Sequence, residues 1–415
     1  MKPWFTIVVA AISLCTGGCG RETQREHPKS VTFRVHNPIA VHRIDEALIL
    51  DLADIRRKAP DFSPKACLAL WEGKEVPSQA NDLNGDGEAD QLVVLLDIPP
   101  KSTKEIVLKY SPGQITQRSY TRRTHAELSV KTGGAFVGRK YVGGQWVSVH
   151  TLQVPKEHTD HSEFIRFEGP GWESDRVGYR FYLDWRNAID VFGKKVPGMV
   201  LQEVGLDGFE SYHSMADWGM DILKVGESLG IGSVGMWVDG KAQRVSIVDS
   251  VKCEVALDGA VQSLVRTTYR GWRIGGYTCD LVSELSITAG SRITTHRLQV
   301  RGNVPNLCTG IVKDPAAESF TSVGGGQYGY LATYGKQSLA GDSLGLAVLF
   351  CQEDLVTFAE DEYSHVVVLR PAGGRVTYHF LAAWEQEPGG IKTRAEFVAY
   401  LEEMLQRLNH PIVVE

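Results

Sequence analysis

No segment of the 415-residue sequence recurs at a fixed period, which excludes a solenoid or a propeller. It has no Cys-x-x-Cys pair, so neither a zinc knuckle nor a thioredoxin-like site is supported. It has no Gly-x-Ser-x-Gly elbow, which removes the usual esterase nucleophile. Gly324-Gly325-Gly326 lacks the lysine and the strand–turn–helix setting of a phosphate loop. There is no basic excess: 44 Lys and Arg stand against 50 Asp and Glu, a net charge of −6, which argues against a nucleic-acid partner. Past the first residues no apolar run approaches the ~20 residues needed to cross a bilayer. What is abundant is glycine, 43 residues or about 10% against a usual ~7%. Apolar and charged fractions of 43% and 23% are those of a globular chain, so the glycines point to many turns and many short strands.

Residues 1–18 read as an export signal. Lys2 supplies the positive charge, Phe5 to Leu14 the short apolar stretch, and Thr16-Gly17-Gly18 precede Cys19. That ending is of the lipoprotein type, with Cys19 acylated as the first mature residue, although Thr16 stands where an aliphatic residue is usual. Residues 19–30 are polar and form a tether, so the only membrane contact expected is through the lipid. Five cysteines follow: Cys67, Cys253, Cys279, Cys308 and Cys351. They are expected to be buried small hydrophobes, and a Cys279–Cys308 disulfide is compatible with an oxidising compartment.

The expected fold class is all-β. Alternation in Val31-Thr32-Phe33-Arg34-Val35 and apolar runs at Ala47–Leu52, Leu68–Trp71, Leu92–Leu96 and Ile106–Tyr110 give a small β-sandwich over 31–113. The polar stretch 114–125 is the linker. From 126 to 415, strands joined by turns such as Asp258-Gly259 and Gly373-Gly374 imply a large β-sandwich rather than βαβ units. One helix closes the chain. Thr393 and Glu396 form a capping box, and Phe397, Tyr400, Leu401, Met404, Leu405 and Leu408 share one face, which is expected to cover the sandwich.

Candidate chemistry is concentrated in two places. Asp82, Asn84, Asp86, Glu88 and Asp90 alternate as in a calcium loop, but Val93 stands where the twelfth-position glutamate belongs. Asn-Gly and Asp-Gly equally favour a plain hairpin tip, and a bound calcium would be structural. The second place is Gly169–Gly232, where aromatic and charged residues interleave as a sugar site requires. Trp172, Trp185 and Trp218 are candidate stacking faces, and Arg180, Arg186 and Lys194 candidate partners for an anionic sugar. His213, Asp217 and Asp221 are spaced by four, so on a helix they share a face as an acid–base set or a hard-metal site. Tyr212 flanks them. Glu173 and Asp175 are an alternative acid pair, read otherwise as partners of Arg176 or Arg180. His158-Thr159-Asp160-His161 has the residue types to ligate a metal, but in its polar, charged surroundings it reads as a solvated loop.

The run Trp172-Glu173-Ser174-Asp175 to Arg180, the segment Arg186 to Lys194, Asp217-Trp218-Gly219-Met220-Asp221 and Lys224-Val225-Gly226 resemble the family called domain of unknown function 4861. Arg34–Asn37 and Gln79–Gln91 fit the same family. The resemblance implies a secreted bacterial protein found with enzymes that degrade uronate-containing glycans, and a galactose-mutarotase-like large sandwich. It carries over no catalytic residue. Three functions are therefore open. The first is a lyase or hydrolase of acidic oligosaccharides at the cell envelope. In the lyase, Arg180 or Arg186 neutralises the uronate and His213 or Tyr212 moves the protons; in the hydrolase, Glu173 works with Asp217 or Asp221. The second is a glycan-binding lipoprotein, which predicts an open platform of Trp172, Trp185 and Trp218 with no buried acid at His213. The third is a mutarotase or epimerase with a closed small pocket.

Overall fold

The computed structural model describes residues 27–113 and 118–415. The export signal, Cys19 and residues 19–26 of the tether lie outside the described residues. The described residues are all-β, with two α-helices among them, Leu52–Lys58 and Arg394–Asn409.

A nine-stranded antiparallel sheet is the frame. Its order runs Thr151–Gln153, Ser250–Asp258, Gln262–Ile274, Tyr277–Thr288, Ile293–Arg301, Arg375–Trp384, Leu344–Cys351, Tyr328–Gly335 and Ala317–Ser322. Strict alternation decides its faces. In Tyr277–Thr288, Cys279, Leu281, Leu285 and Ile287 are buried and point to one side, while Asp280, Val282, Glu284 and Ser286 point to the other. The first side packs on two five-stranded sheets. One contains Thr124–Glu127, Gly171–Ser174, Val177–Phe181, Ile189–Lys194 and Gly219–Asp221; the other contains Gly235–Val238, Lys241–Arg244, Leu307–Val312, Leu355–Glu360 and Ser364–Leu369. Trp172, Tyr179, Tyr269, Trp272, Tyr378, Phe380 and Trp384 fill the space between them.

The far face of the large sheet is covered at one end by the closing helix, through Phe397, Leu401, Met404 and Leu405 on Ala347, Leu349 and Leu381. Thr393 and Glu396 form the reciprocal cap expected of them. The small sandwich covers the other end. Its strand Gln91–Ile98 is buried on both faces: Leu92, Val94 and Leu96 enter its own core, and Val93 and Leu95 pack on Val261 and Ala289 of the large sandwich. Gln262 Oε1 accepts from Asn81 Nδ2 at 2.6 Å and Gln91 Nε2 at 3.2 Å across this junction. Arg123 pairs with Asp45 on one side and Asp175 on the other.

Several local expectations change. Leu52, expected at a strand end, opens a short helix that buries Leu52 and Ile55. The terminal residues Val413–Val414 form an edge strand of the small sandwich, paired to Lys29–His36. The five described cysteines are free thiols, four of them buried and Cys351 half-buried. Cys279 and Cys308 sit on strands of opposing sheets, Tyr277–Thr288 and Leu307–Val312, and no disulfide joins them.

Candidate functional site

The site is marked first by strained backbone. Nine non-glycine residues among those described have positive φ, and four of them, His161, Glu163, Phe167 and Glu168, line one small cavity of about 40 Å³. Each such residue costs on the order of 1–3 kcal/mol and persists only where its surroundings hold it, typically at functional sites. The floor of the cavity is buried: Ile165, Arg166, Phe167 and Tyr212. Lys131, Trp146, His161 and Phe209 stand at its rim. Trp146 comes from the projecting hairpin of Ser129–Val137 and Lys140–Ser148, whose indole donates to Leu206 O.

The loop carrying His158, Asp160 and His161 is not simply solvated. His158 is buried, with Nδ1 at 2.8 Å from Ser162 Oγ and Nε2 at 3.3 Å from Glu168 O. Burial pulls its pKa down, so it is neutral and structural. The loop folds around it and presents His161 outward, half exposed, with Nδ1 at 2.5 Å from Asp160 Oδ1.

Behind the cavity lies a buried charge cluster. Register partners on adjacent strands bring Arg180 and Asp190 together, and Asp221 reaches them from the next strand. Arg180 donates to Asp190 Oδ2 (2.7 Å), Asp221 Oδ2 (2.5 Å), Tyr212 Oη (2.8 Å) and Tyr182 Oη (3.1 Å). Its guanidinium also stacks on Tyr182, Phe192 and Tyr212. Burial and the neighbouring Asp221 carboxylate push Asp190 up to about 7, against the pull of Arg180. Arg186 extends the chain of charges. It pairs with Asp184, Glu168 and Asp160, and Glu168 lies 3.8 Å from Arg180. Burial opposes the charge on Glu168, but Arg180 and Arg186 hold its pKa down to about 2.

His213 sits at the edge of this cluster, partly exposed. Its Nδ1 is 2.8 Å from Phe209 O and its Nε2 is 3.4 Å from Asp221 Oδ2. Both partners accept only, so the ring is favoured with both nitrogens protonated, and the Asp221 contact raises its pKa. The rings of His161 and His213 lie on Phe209, at 4.8 and 6.2 Å between centroids.

The structure thus brings Arg180, Tyr212, His213 and Asp221 together, but not on a helix. Ser211–His213 is a single 3-10 turn and Gly219–Asp221 is a strand. Gly219 holds φ +134° against Gly193 O, where an added Cβ would lie 1.8 Å away. Asp217 rides the intervening turn, exposed and outside the cluster. Glu173 is also elsewhere. It and Lys194 form a fully buried ion pair at 2.5 Å, and Glu173 Oε1 accepts from Val200 N and Leu201 N at 2.8 Å each. Glu173 therefore pins a loop beneath the cavity and has no free oxygen for catalysis; its partners are not Arg176 or Arg180. Lys194 is likewise unavailable to a substrate, as is Arg180, which is buried and saturated. Asp175 is engaged by Arg123.

The tryptophans separate. Trp172 is wholly buried, donating to Thr294 Oγ1 and stacked on Tyr179, so it offers no sugar-stacking face. Trp218 is half-buried against Phe192. Trp185 is 42% exposed and stands between two clefts, of about 780 and 290 Å³. Trp172→Ala is expected to destabilise the chain by about 3–5 kcal/mol. Trp185→Ala should stay within about 0.5 kcal/mol. Urea unfolding of the two variants checks the contrast.

The 82–90 loop forms a hairpin tip whose oxygens take its own amides. Asp82 accepts from Gly85 and Gly87, Asn84 from Asp86, Asp86 from Glu88, and Asp90 from Leu83. Among the described residues, the group whose ligand atoms lie within 4.8 Å of one another is instead Asp160, His161 and Glu168. Arg186 already pairs with both of those carboxylates, so a cation there would compete with its guanidinium.

A family model described as Domain of unknown function (DUF4861) matches residues 35–414. The chain belongs to this family. Val35 and Val414, which bound the matched span in this member, are themselves register partners across two strands. Two solved structures align with TM-scores of 0.40. One is an alpha-mannosidase from Enterococcus faecalis V583, 9% identical, over 93% of this chain and 46% of that one. The other is a protein in glycosyl hydrolase family 38 from Enterococcus faecalis, 7% identical, over 93% and 47%. The chain therefore spans less than half the length of either. No curated protein matches it.

Glu168, Asp190 and Arg166 were not singled out from sequence as site residues, and His161 only within a loop read as solvated. Asp190 had a usable signal, since pairing Val177–Phe181 with Ile189–Lys194 places it opposite Arg180. Arg166 and Glu168 had none, because their role depends on a strained loop.

Proposed function

We propose that this member of the family is an exported, envelope-anchored lyase that cleaves uronate-containing oligosaccharides by β-elimination. Anchoring would be through Cys19. The observation that supports the reading best is a pair of part-exposed imidazoles, His161 and His213, whose rings both pack on Phe209, a residue that lines the strained cavity. Elimination needs a base for the C5 proton and an acid for the departing C4 oxygen. His161 has Nδ1 against Asp160 and no hydrogen bond to Nε2 among the described residues, which suits it to take the proton. The C5–H electrons then form the C4=C5 double bond as the C4–O bond breaks. His213, held charged by Asp221 and Phe209 O, gives its proton to the leaving oxygen.

Elimination is favoured over hydrolysis because Glu173 is sealed inside the fold and leaves no carboxylate pair with Asp217 or Asp221 across a groove. A pure binding platform is disfavoured by the burial of Trp172 and by the buried acid at His213. A mutarotase or epimerase would need a closed pocket holding a whole ring, and about 40 Å³ holds none.

The test is incubation of the mature protein with a panel of uronate-containing oligosaccharides. The expected result is a new ultraviolet absorbance from the unsaturated uronate. New reducing ends without that absorbance would replace elimination by hydrolysis. Binding without any product would overturn the enzyme reading.

A further inference from the structure

The small cavity has a second unusual property. Arg166 is buried, with Nη1 donating to Gln202 O at 3.1 Å and Nη2 paired with Glu127 at 2.9 Å, but its buried Nε has no hydrogen-bond partner. A buried unsatisfied donor costs on the order of 1–3 kcal/mol, more when charged, and asks for an acceptor that arrives later. Arg166 lines the cavity, and its guanidinium stacks on Phe167, one of the strained residues.

Two cations line this cavity, Lys131 and Arg166, together with Glu163 and Glu168. His125 touches Asp258 and Glu127; burial opposes its charge, but these two carboxylates push it up to about 9. His125 and Arg166 therefore share Glu127, as Lys131 and Lys140 share Glu163. Glu168, on the opposite wall, is held by Arg186 at 2.7 Å and lies 3.8 Å from Arg180.

Size sets what fits. A cavity of about 40 Å³ takes an exocyclic group of a few heavy atoms or one or two waters, not a sugar ring. We infer that this cavity is a carboxylate subsite, in which Arg166, assisted by Lys131, holds the C6 carboxylate of a hexuronate while the ring stays at the rim near His161, His213 and Trp146. The inference rests on the lyase reading. It supplies what that reading lacked once Arg180 proved buried: a cation for the carboxylate whose charge grows as C5 loses its proton. Arg166 is missed by sequence patterning because it precedes, rather than falls within, the aromatic-rich segment.

Calorimetric titration with methyl glucuronoside and methyl glucoside tests it. The wild-type protein is expected to bind the uronoside at least about tenfold more tightly than the glucoside. Arg166→Lys keeps the charge but removes the planar donor, and should weaken the uronoside about tenfold with the glucoside unchanged. Lys131→Met, at the rim, should weaken it a few-fold without any folding cost. Equal affinity for the two sugars in the wild type overturns the subsite even if Arg166→Lys does not fold. So does a folded Arg166→Lys with wild-type affinity, which would leave the cavity to water. Turnover that ignores Arg166→Lys would sink the subsite and spare the lyase. Arg166-dependent uronoside binding without turnover of any acidic oligosaccharide would do the reverse.

Discussion

Arg180→Met is expected to destabilise the protein by about 3–5 kcal/mol, and more at pH 8 than at pH 5. The side chain it removes neutralises two carboxylates, Asp190 and Asp221, each only 1% exposed. Methionine fills much of the volume but leaves both acids buried without a cation, and that uncompensated charge is the main cost. The pH dependence follows from the sign of the shift. Asp190 already has a folded pKa raised to about 7, above its unfolded value. Its contribution to stability is therefore fully present at acid pH and is lost as pH rises through about 7. Without Arg180 the Asp190 carboxyl moves further up, so the loss deepens and extends to higher pH. Urea midpoints at pH 5 and 8 give the answer. Adding Asp190→Asn and Asp221→Asn to the variant should recover part of the loss, because the buried charges are then gone. An equal loss at both pH values would mean that Arg180 acts by packing on Tyr182, Phe192 and Tyr212 alone.

That cluster also shows where sequence reading reached and where it stopped. The all-β class and the capped closing helix followed from period-2 and period-3.6 patterns, which report local geometry and burial directly. The region of the site was legible for the same reason: Arg180, Tyr212, His213 and Asp221 fall in one dense segment and do meet. Their roles were not legible. Whether a charged residue faces a substrate or the core depends on which strand pairs beside it, and the pairing of Val177–Phe181 with Ile189–Lys194 turns Arg180 inward. The i, i+4 spacing of His213, Asp217 and Asp221 misled because Gly219 closes a turn and not a helix. The contacts that matter most around the cavity span long loops, as when Trp146 of the projecting hairpin reaches Leu206. Glu173 was a reasonable acid by type, but only the three-dimensional closure of the 200–201 loop over it reveals its structural use.

His213→Gln is expected to lower kcat on an acidic oligosaccharide by roughly 10²–10⁴, the range for loss of a positioned acid or base, with KM changed far less. Glutamine keeps a donor near Asp221 but carries no proton to give. The fold should survive, because the ring is partly exposed and makes one backbone and one carboxylate contact. The pH profile separates catalysis from structure. The hydrogen bond to Asp221 raises the His213 pKa, so its protonated form persists above the usual imidazole range. Any stability it contributes is present below the unfolded pKa and lost as pH rises through the folded one. Activity that needs its proton must fall on the alkaline side over the same interval. In His213→Gln that alkaline limb should vanish from the residual activity. In His161→Gln the alkaline limb should remain, because His213 is still in place. A general acid of higher pKa should matter less for substrates whose leaving group needs no proton. An activated leaving group at C4 should therefore rescue His213→Gln by an order of magnitude or more and leave His161→Gln unrescued. If both variants are rescued equally, the two imidazoles bind substrate and do not divide the proton transfers between them.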